Sequence, residues 1–403
     1  MPTIRRFLTP SYESNIPIFF AYQMLYNFML FLPVWVIYIQ GKFGLTMTEV
    51  TLNDSAFWIT MALTEVPTGA VADTWGRKQS QLIGMIIATG SIVLFALAPV
   101  YPLVLVANSL WAIGITFISG AELALLYDTL RELGKENEYP KYRGRLQAMV
   151  LVSIAVSSVL GGIVGEISLV ATFIITAGAM LIATFLVILL KEPPREPDSD
   201  TGENLNYWGI VRVTFGAIRQ SPGLRYALLY ASLMPLAGSA IQVTFMQPHA
   251  IAIGLPIAAL GVIALGLRLS QFSGALSADR ILQRIGEWGW LRLAPIVLFV
   301  GVIALGVFNS VFGIVLFALT GFASAVTMPL MESIILRQTP GSVRATILSV
   351  DSLLFRFMLA ALGPAVGLAS DFYSLPIAFI AVGVGLGFVI FWVMVRWRGV
   401  WDG

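Results

Sequence analysis

Ionisable side chains inside long apolar stretches are the residues of this sequence best suited to chemistry. Four are carboxylates and two are arginines: Glu65, Glu122, Glu332, Asp351, Arg268 and Arg356. Desolvation disfavours the charged form of a carboxylate, so such a group could bind and release a proton near neutral pH. An arginine keeps its charge and could hold an anionic group or keep a nearby acid ionised. The alternative is that these charges form ion pairs that lock helices together, and Glu65 fits that alternative best.

A second group of charges lies in a short turn between two apolar stretches. The turn reads GAVADTWGRKQS, from Gly69 to Ser80, and combines two glycines, an aspartate and two adjacent cations. A similar turn, SGALSADRILQRIG, runs from Ser273 to Gly286. Both read Gly-Ala-aliphatic, then small residues, an aspartate and basic residues. This repetition indicates an internal duplication.

The elements that carry these charges are predicted to be membrane-spanning helices. Hydrophobic residues make up 58% of the 403 residues and charged residues only 11%, with a mean hydropathy of +0.85. A soluble domain carries about twice that charged fraction. Many apolar runs reach the ~20 residues that a helix needs to cross a bilayer, and they lack the alternation of a membrane β-barrel. The sequence therefore predicts an all-α membrane protein.

Twelve spans are predicted, in two groups of six. They cover roughly residues 16–39, 50–72, 80–98, 101–126, 146–167, 169–190, 224–247, 254–278, 291–309, 311–337, 345–369 and 374–396. We expect residues 1–190 and 224–403 to form two pseudo-symmetric six-helix bundles, joined by a cytoplasmic linker over residues 191–223. The first part of the linker is proline-rich and acidic, which favours disorder. The second part has the pattern of an amphipathic helix on the inner leaflet, with an apolar face formed by Trp208, Val211, Phe215 and Ile218.

The distribution of cations orients the spans. With both termini in the cytoplasm, 21 of the 24 Lys and Arg residues lie in cytoplasmic segments, and the other three are Lys42, Arg268 and Arg356. Cytoplasmic loops of membrane proteins carry an excess of Lys and Arg. We therefore expect a multi-pass protein of the plasma (inner) membrane with both termini inside.

The first charged turn resembles the signature loop of the major facilitator superfamily, usually written G-x-x-x-D-x-x-G-R-[KR]. The matching residues are Gly69, Asp73, Gly76, Arg77 and Lys78. Thr74 departs from the pattern, because a basic residue often follows the aspartate in the family. The stretches EVPTG, SGAELALLYDTL and RATILS are also similar to bacterial members. The resemblance covers the whole chain and implies a transporter, not an enzyme, that works by alternating access.

The resemblance further implies that the charged turns form an inner gate on the cytoplasmic side. Gly69 would let span two approach span eleven closely. Asp73 would face the start of span eleven, where unsatisfied N–H groups carry partial positive charge. Gly76 would permit the turn. The alternative is that the cations of the turn only orient the loop.

Two further contacts belong to the same expectation. Arg77 would pair with Asp128 at the inner end of span four. In the second turn, with Gly274, Asp279 would act at the start of span five, near Arg145. The inner gate would hold the two halves together in the outward-open state.

Polar side chains are candidates for the lining of a substrate cavity. The first span has a polar face with helical spacing, and the resemblance implies that spans one, four, seven and ten line the cavity. The candidates are Tyr22, Tyr26, Asn27, Asn108, Gln242, Arg268 and Arg356. His249, the one histidine of the sequence, is expected to be a loop residue at the outer end of span seven.

The sequence has no phosphate-binding loop, no HExxH motif and no cysteine, so no ATP, metal or other cofactor is expected. We expect a secondary active transporter for a small amphiphilic organic molecule, with proton-coupled export as the favoured mode. Uptake or exchange of an organic anion and the handling of lipids are the alternatives. The fifth span, VLGGIVGE, lacks the G-P pair of many drug exporters, which weakens the export hypothesis. The expected partners are the substrate, protons and the bilayer, with no nucleic acid, and the protein is expected to be a monomer.

Overall fold

The computed structural model describes residues 11–194, 216, 218–339 and 343–401, and in these ranges the regular elements are helices. Of the predicted linker helix, only residues 216 and 218–220 are described, and they are helical; Trp208, Val211 and Phe215 of its apolar face, and Ser342 just before span eleven, lie outside the described residues. In chain order the main helices are α1 (Tyr12–Tyr26), α2 (Trp35–Phe43), α3 (Met47–Trp75), α4 (Arg77–Leu97), α5 (Tyr101–Glu132), α6 (Tyr139–Ile167), α7 (Leu169–Leu189), α8 (Pro222–Leu233), α9 (Leu236–Ala240), α10 (Met246–Ala252), α11 (Ile257–Phe308), α12 (Val311–Arg337), α13 (Arg344–Phe372) and α14 (Leu375–Trp401).

The helices are consistent with the twelve predicted spans. In the part of the chain that the structure describes, nine helical stretches are long and apolar enough to cross a membrane. One of them, α11, contains two predicted spans and bends at Gly286, whose φ of 74° and ψ of 165° are not helical. A residue with that φ is uncommon unless it is glycine.

The outer faces of the long helices expose large apolar side chains. On α7, Leu181, Phe185 and Ile188 are exposed at the spacing of one helix face, and Phe388 is exposed on α14. Soluble monomers rarely expose apolar patches of this extent. The pattern fits contact with lipid tails.

The chain divides into two compact units, of which the first comprises Met1–Gly44, Ala56–Ser199 and Pro256–Ala264. Within it α4 packs against α5 and α7, and α1 packs against α7 and α6. The short segment from the start of α11 packs tightly against α6, since a Cβ at Gly162 would meet the carbonyl oxygen of Ala258 at 2.5 Å. The backbone N–H of Ala258 also donates to Glu166 Oε2, at 2.9 Å.

The second unit comprises Leu45–Ser55, Asp200–Leu255 and Leu265–Gly403. Within it α8 packs against α12, α13 and α14. The first turns of α3 belong to this unit and are fixed by Asp371 at the end of α13. This carboxylate accepts hydrogen bonds from Met47 N at 2.9 Å and from Thr48 N and Thr48 Oγ1 at 2.8 and 2.6 Å. The two units thus differ from the predicted bundles by the exchange of two short segments.

Candidate proton and substrate sites

The first span of the first unit is interrupted directly after its polar face. α1 ends at Tyr26 and α2 begins at Trp35, so the single span predicted over residues 16–39 is divided. Pro33 lies within the break and prevents a regular helix through residues 29–33, because it has no N–H and its ring clashes with the carbonyl group four residues earlier. The N–H of Leu30 donates instead to Thr176 Oγ1, at 2.9 Å. Irregular backbone at membrane depth needs such internal partners.

Glu122 on α5 contacts this polar face. It is half-buried and accepts a hydrogen bond from Gln23 Nε2 at 2.7 Å. Gln23 is only 3% exposed, and Asn27 Nδ2 donates to its backbone oxygen at 2.8 Å. Arg143 on α6 interacts electrostatically with Glu122. The predicted proton site and the predicted polar face therefore lie together.

Tyr22 and Tyr26 pack beside Glu122 and interact with it electrostatically. Their ring centroids are 6.3 Å apart, and both side chains are buried. Among the described residues, the Tyr22 hydroxyl has no hydrogen-bond partner. Asn108 on α5 is buried as well. In this structure these three predicted cavity residues are buried among other side chains and do not line an open cavity.

The seventh predicted span, in the second unit, is also interrupted. α8 ends at Leu233, and a π-helical segment over Ile241–Phe245 separates α9 from α10. Pro235 removes one N–H from the helix, and π-helical turns occur frequently at functional sites. Ser232, in the last turn of α8, donates from Oγ to Asp351 Oδ1 at 3.2 Å. In each unit, a carboxylate on another helix thus accepts a side-chain hydrogen bond from an interrupted span, close to the break.

A cavity of about 460 Å³ lies within the second unit beside this break. Asp351 is the charged side chain of its lining, and four polar side chains line it as well: Ser239, Gln271, Ser324 and Ser352. The rest of the lining is mostly apolar and includes Met328 and Phe355. Concave, largely apolar cavities of this size with a few polar groups are typical of small-molecule sites.

Arg268 on α11 connects to the cavity through two amides. Its Nη1 donates to Gln271 Oε1 at 3.2 Å, and Gln271 Nε2 donates to Gln242 Oε1 at 3.1 Å. The hydrogen-bond partner of Arg268 is therefore an amide rather than the carboxylate expected of a helix-locking ion pair. Arg356, on α13, is half-buried.

Two other predicted carboxylates lie elsewhere. Glu332 lines a neighbouring cleft of about 360 Å³, together with Arg337 and Arg344, and interacts electrostatically with Asp351. Glu65 is half-buried on α3, in the first unit. Neither residue lines the cavity at Asp351.

The first charged turn contains the expected pair of Arg77 and Asp128. Arg77 is the first residue of α4 and forms an ion pair with Asp128 on α5, which is 5% exposed. Arg77 Nη1 also donates to Ala124 O at 2.8 Å. Gly76 precedes α4 with a φ of 123°, a backbone conformation that residues with a Cβ rarely adopt. The glycine is thus required at the turn.

The glycines deeper in the two turns differ. A Cβ at Gly69 would meet no atom of the described residues within 4 Å, and the close approach of span eleven to Gly69 stays a prediction. At Gly274 a Cβ would meet the Phe322 carbonyl oxygen at 2.5 Å, and α11 and α12 do approach closely there. Asp73 and Asp279 are both exposed.

Sequence reasoning missed the contacts of one residue and misplaced another. Glu192, assigned to the linker, accepts hydrogen bonds from Arg77 N at 2.8 Å and Lys78 N at 2.7 Å, where the start of a helix favours an anion. An acid directly after span six was the available signal. His249 is buried on α10, 5.3 Å from the Phe379 ring, so its expected loop position is wrong. The helix continues there because Pro248 lies in the first turn of α10, where proline is tolerated.

A bundle of membrane helices with interrupted spans beside half-buried carboxylates is the architecture of a secondary transporter. The sequence model of the Major Facilitator Superfamily matches residues 18–364, and the chain belongs to this family. The protein is therefore a multi-pass membrane transporter and not an enzyme.

Similar proteins agree with this assignment. The fold is similar to a bacterial homolog of the human lysosomal transporter Spinster (TM-score 0.77, 15% identity, 97% of this chain and 98% of the other). It is also similar to the nucleoside transporter NupG (TM-score 0.76, 13% identity, 96% of this chain and 100% of the other). In sequence, Multidrug resistance protein 1 of Bacillus subtilis (strain 168) is 25% identical over 162 residues. That match spans 40% of this chain and 41% of the relative's length.

Proposed function

We propose that this transporter exports a small amphiphilic organic molecule in exchange for protons, and that Glu122 carries the proton. The 2.7 Å hydrogen bond from Gln23 to Glu122 is the observation that supports this most strongly. The amide of Gln23 has a donor and an acceptor end. It can donate to the ionised carboxylate and, after rotation, accept from the protonated acid. A direct ion pair would suit only the ionised form.

The surroundings of Glu122 support an amphiphilic cargo. Tyr22 and Tyr26 place two rings beside the carboxyl group, and across the break Phe31 packs against Trp111 at 5.2 Å. These rings are packed in this structure, and once alternating access opens the region, aromatic faces next to a few polar groups can bind a partly apolar molecule by stacking and hydrogen bonding. The name of the Bacillus subtilis relative refers to multidrug resistance, which favours export over uptake.

The charged turns are proposed to be the inner gate. The ion pair of Arg77 and Asp128 fixes the start of α4 against α5, so that the preceding turn holds Asp73 at a defined position. Asp73 would then stabilise the outward-open state by contact with the start of α13, with Asp279 acting equivalently in the second turn. We further propose that the protein is a monomer of the plasma membrane with both termini in the cytoplasm.

The test uses purified full-length protein in liposomes with an acidic lumen, and a panel of amphiphilic dyes such as ethidium. Wild-type protein should accumulate dye against its gradient, whereas Glu122→Gln should not, because its amide cannot exchange a proton. Exchange of dye across the membrane without a pH gradient should persist in Glu122→Gln. Glu138→Gln, an exposed carboxylate paired with Lys141, is the matched control. Gradient-driven accumulation by Glu122→Gln at the wild-type rate would contradict the proposal.

Exchange of an organic anion is the second candidate, and Arg268 favours it. Arg268 is exposed, and Gln271, which itself donates to Gln242, holds the guanidinium beside the cavity of the second unit. Arg356 would assist on α13. Replacement of Arg268 by Gln should then impair an anionic cargo far more than a cationic one, and equal effects on both would count against this candidate.

A further inference from the structure

The cavity of the second unit has the chemistry of a site for a cation. Its volume of about 460 Å³ is lined by residues of that unit, and its lining carries one carboxylate, Asp351. Three hydroxyl groups and the amide of Gln271 supply further hydrogen-bonding atoms. Met328 and Phe355 provide an apolar surface of the kind that holds the body of a small ligand.

Among the described residues, the immediate contacts of Asp351 do not balance its charge. Its hydrogen bond comes from a neutral hydroxyl, Ser232 Oγ at 3.2 Å, and its electrostatic neighbour Glu332 carries the same charge. The guanidinium of Arg268 is bonded to Gln271 and is not part of the lining. An ionised carboxylate inside a membrane protein needs a positive partner. A bound ligand can supply that partner.

We propose that this cavity binds small molecules that carry a protonated amine, with the ammonium group at Asp351. The inference rests on the proposed export function and names the substrate class. An ammonium group has several N–H donors, so it can bond the carboxylate and also the hydroxyl groups of Ser239, Ser324 and Ser352. An aromatic or aliphatic body of the ligand lies against Met328 and Phe355.

The cavity at Asp351 and the neighbouring cleft should prefer ligands of opposite charge. The cleft contains Arg337 and Arg344 beside Glu332, one helical turn along α12 from the cavity. An anionic ligand would be attracted to these two guanidinium groups rather than to Asp351. The charge of the preferred ligand therefore reports which of the two regions binds it.

The test compares three probes with the same aromatic body: phenethylamine, phenethyl alcohol and 3-phenylpropionate. Their binding to full-length protein in lipid nanodiscs is measured by calorimetry at neutral pH, with empty nanodiscs as the blank. The amine should bind about tenfold or more tightly than the other two, because it alone forms a charge-assisted hydrogen bond with Asp351. Asp351→Asn should weaken amine binding by about tenfold or more and leave alcohol binding unchanged.

A second variant guards against a folding defect. Ala325→Phe adds bulk to the cavity lining while leaving Asp351 in place and should also abolish amine binding, whereas Glu138→Gln should have no effect. Monodisperse elution and an unchanged unfolding temperature show that each variant is folded. Amine binding that survives both Asp351→Asn and Ala325→Phe would overturn the proposal. So would tighter binding of 3-phenylpropionate, or an amine dissociation constant weaker than about 1 mM in the wild-type protein.

The proposal that Glu122 carries the proton is tested separately from the proposal that Asp351 binds the amine. Binding at equilibrium needs no pH gradient, so Glu122→Gln should bind the amine as the wild-type protein does. Loss of amine binding in Glu122→Gln would place the amine site in the first unit and overturn the assignment to Asp351. Gradient-driven transport by Glu122→Gln, in contrast, would contradict only the proposed role of Glu122.

Discussion

Gln23 Nε2 lies 2.7 Å from Glu122 Oε2, so a buried amide of the first span holds a carboxylate of α5. In the second unit Ser232 Oγ holds Asp351 Oδ1 at 3.2 Å. Both donors lie within four residues of the point where their helix ends. A change in the charge of either carboxyl group would therefore alter a hydrogen bond to a segment where the regular helix ends.

Replacing Gln23 with Leu should destabilise the protein by about 1.5–3 kcal/mol, because it removes a hydrogen bond to a charged group. Thermal unfolding in detergent measures the loss. Gln147→Leu, on an exposed face of α6, is the matched control and should change the free energy of unfolding by no more than about 0.5 kcal/mol. Equal unfolding temperatures for Gln23→Leu and the wild-type protein would show that the hydrogen bond contributes no stability.

The ion pair between Arg77 and Asp128 should be strongly coupled. The side chains are 27% and 7% exposed, so the expected cost of breaking the pair lies between about 1 kcal/mol for exposed pairs and about 3–5 kcal/mol for buried pairs. Asp128→Asn should cost more than Arg77→Gln, because Arg131 Nη2, 3.7 Å from Asp128, partly compensates for the loss of Arg77.

A double-mutant cycle on unfolding measures this coupling. The double variant should lose less stability than the sum of the two single variants. The exposed pair of Glu138 and Lys141 provides the control cycle and should show less than about 1 kcal/mol. Strict additivity for Arg77 and Asp128 would contradict the prediction.

Gly76→Ala should destabilise the protein by about 1–3 kcal/mol, since the φ of 123° is strained for any residue with a Cβ. Gly178→Ala is the control, because a Cβ there meets none of the described residues within 4 Å and the backbone is helical. Alanine favours a helix over glycine by about 1 kcal/mol, so the control should not lose stability. Gly76→Ala should therefore unfold at a lower temperature than Gly178→Ala, and equal unfolding temperatures would contradict the prediction.

Asp73→Asn should weaken the proposed inner gate by about 0.3–1 kcal/mol, the usual strength of a charge at the end of a helix. Asparagine keeps the size of the side chain but removes the charge. Spin labels at the cytoplasmic ends of α3 and α13 should then show longer distances, in a larger share of molecules, than in the wild-type protein. Identical distance distributions in Asp73→Asn and the wild-type protein would argue against the gate.

The all-helical membrane fold could be predicted from the sequence because apolar length is a local property of the chain. A run of about 20 apolar residues predicts a span whatever its neighbours are. The break after Tyr26 could not be located in this way. Pro33 signals a distortion, but where the helix stops depends on Thr176, 146 residues away from Leu30, which satisfies the freed N–H.

In the candidate sites, too, the local features could be predicted from the sequence and the tertiary contacts could not. Glu122 and Asp351 are conspicuous in sequence, since a charge within an apolar run needs a reason. Their hydrogen-bond donors are not conspicuous, because an amide or a serine on a membrane helix has many roles. The capping of α4 by Glu192 is also a tertiary contact: an acid directly after span six is visible in the sequence, but the sequence does not show that the helix of Arg77 begins beside it.

The start of α11, residues 256–264, is built into the first unit. A gene divided at the central linker would therefore yield an amino-terminal fragment without the strip of chain that covers Gly162. Such a fragment would present bare backbone and small side chains to lipid where it normally packs against a neighbour. The two fragments should accordingly accumulate only when they are produced together in one cell, because each contains a segment that packs in the other's unit.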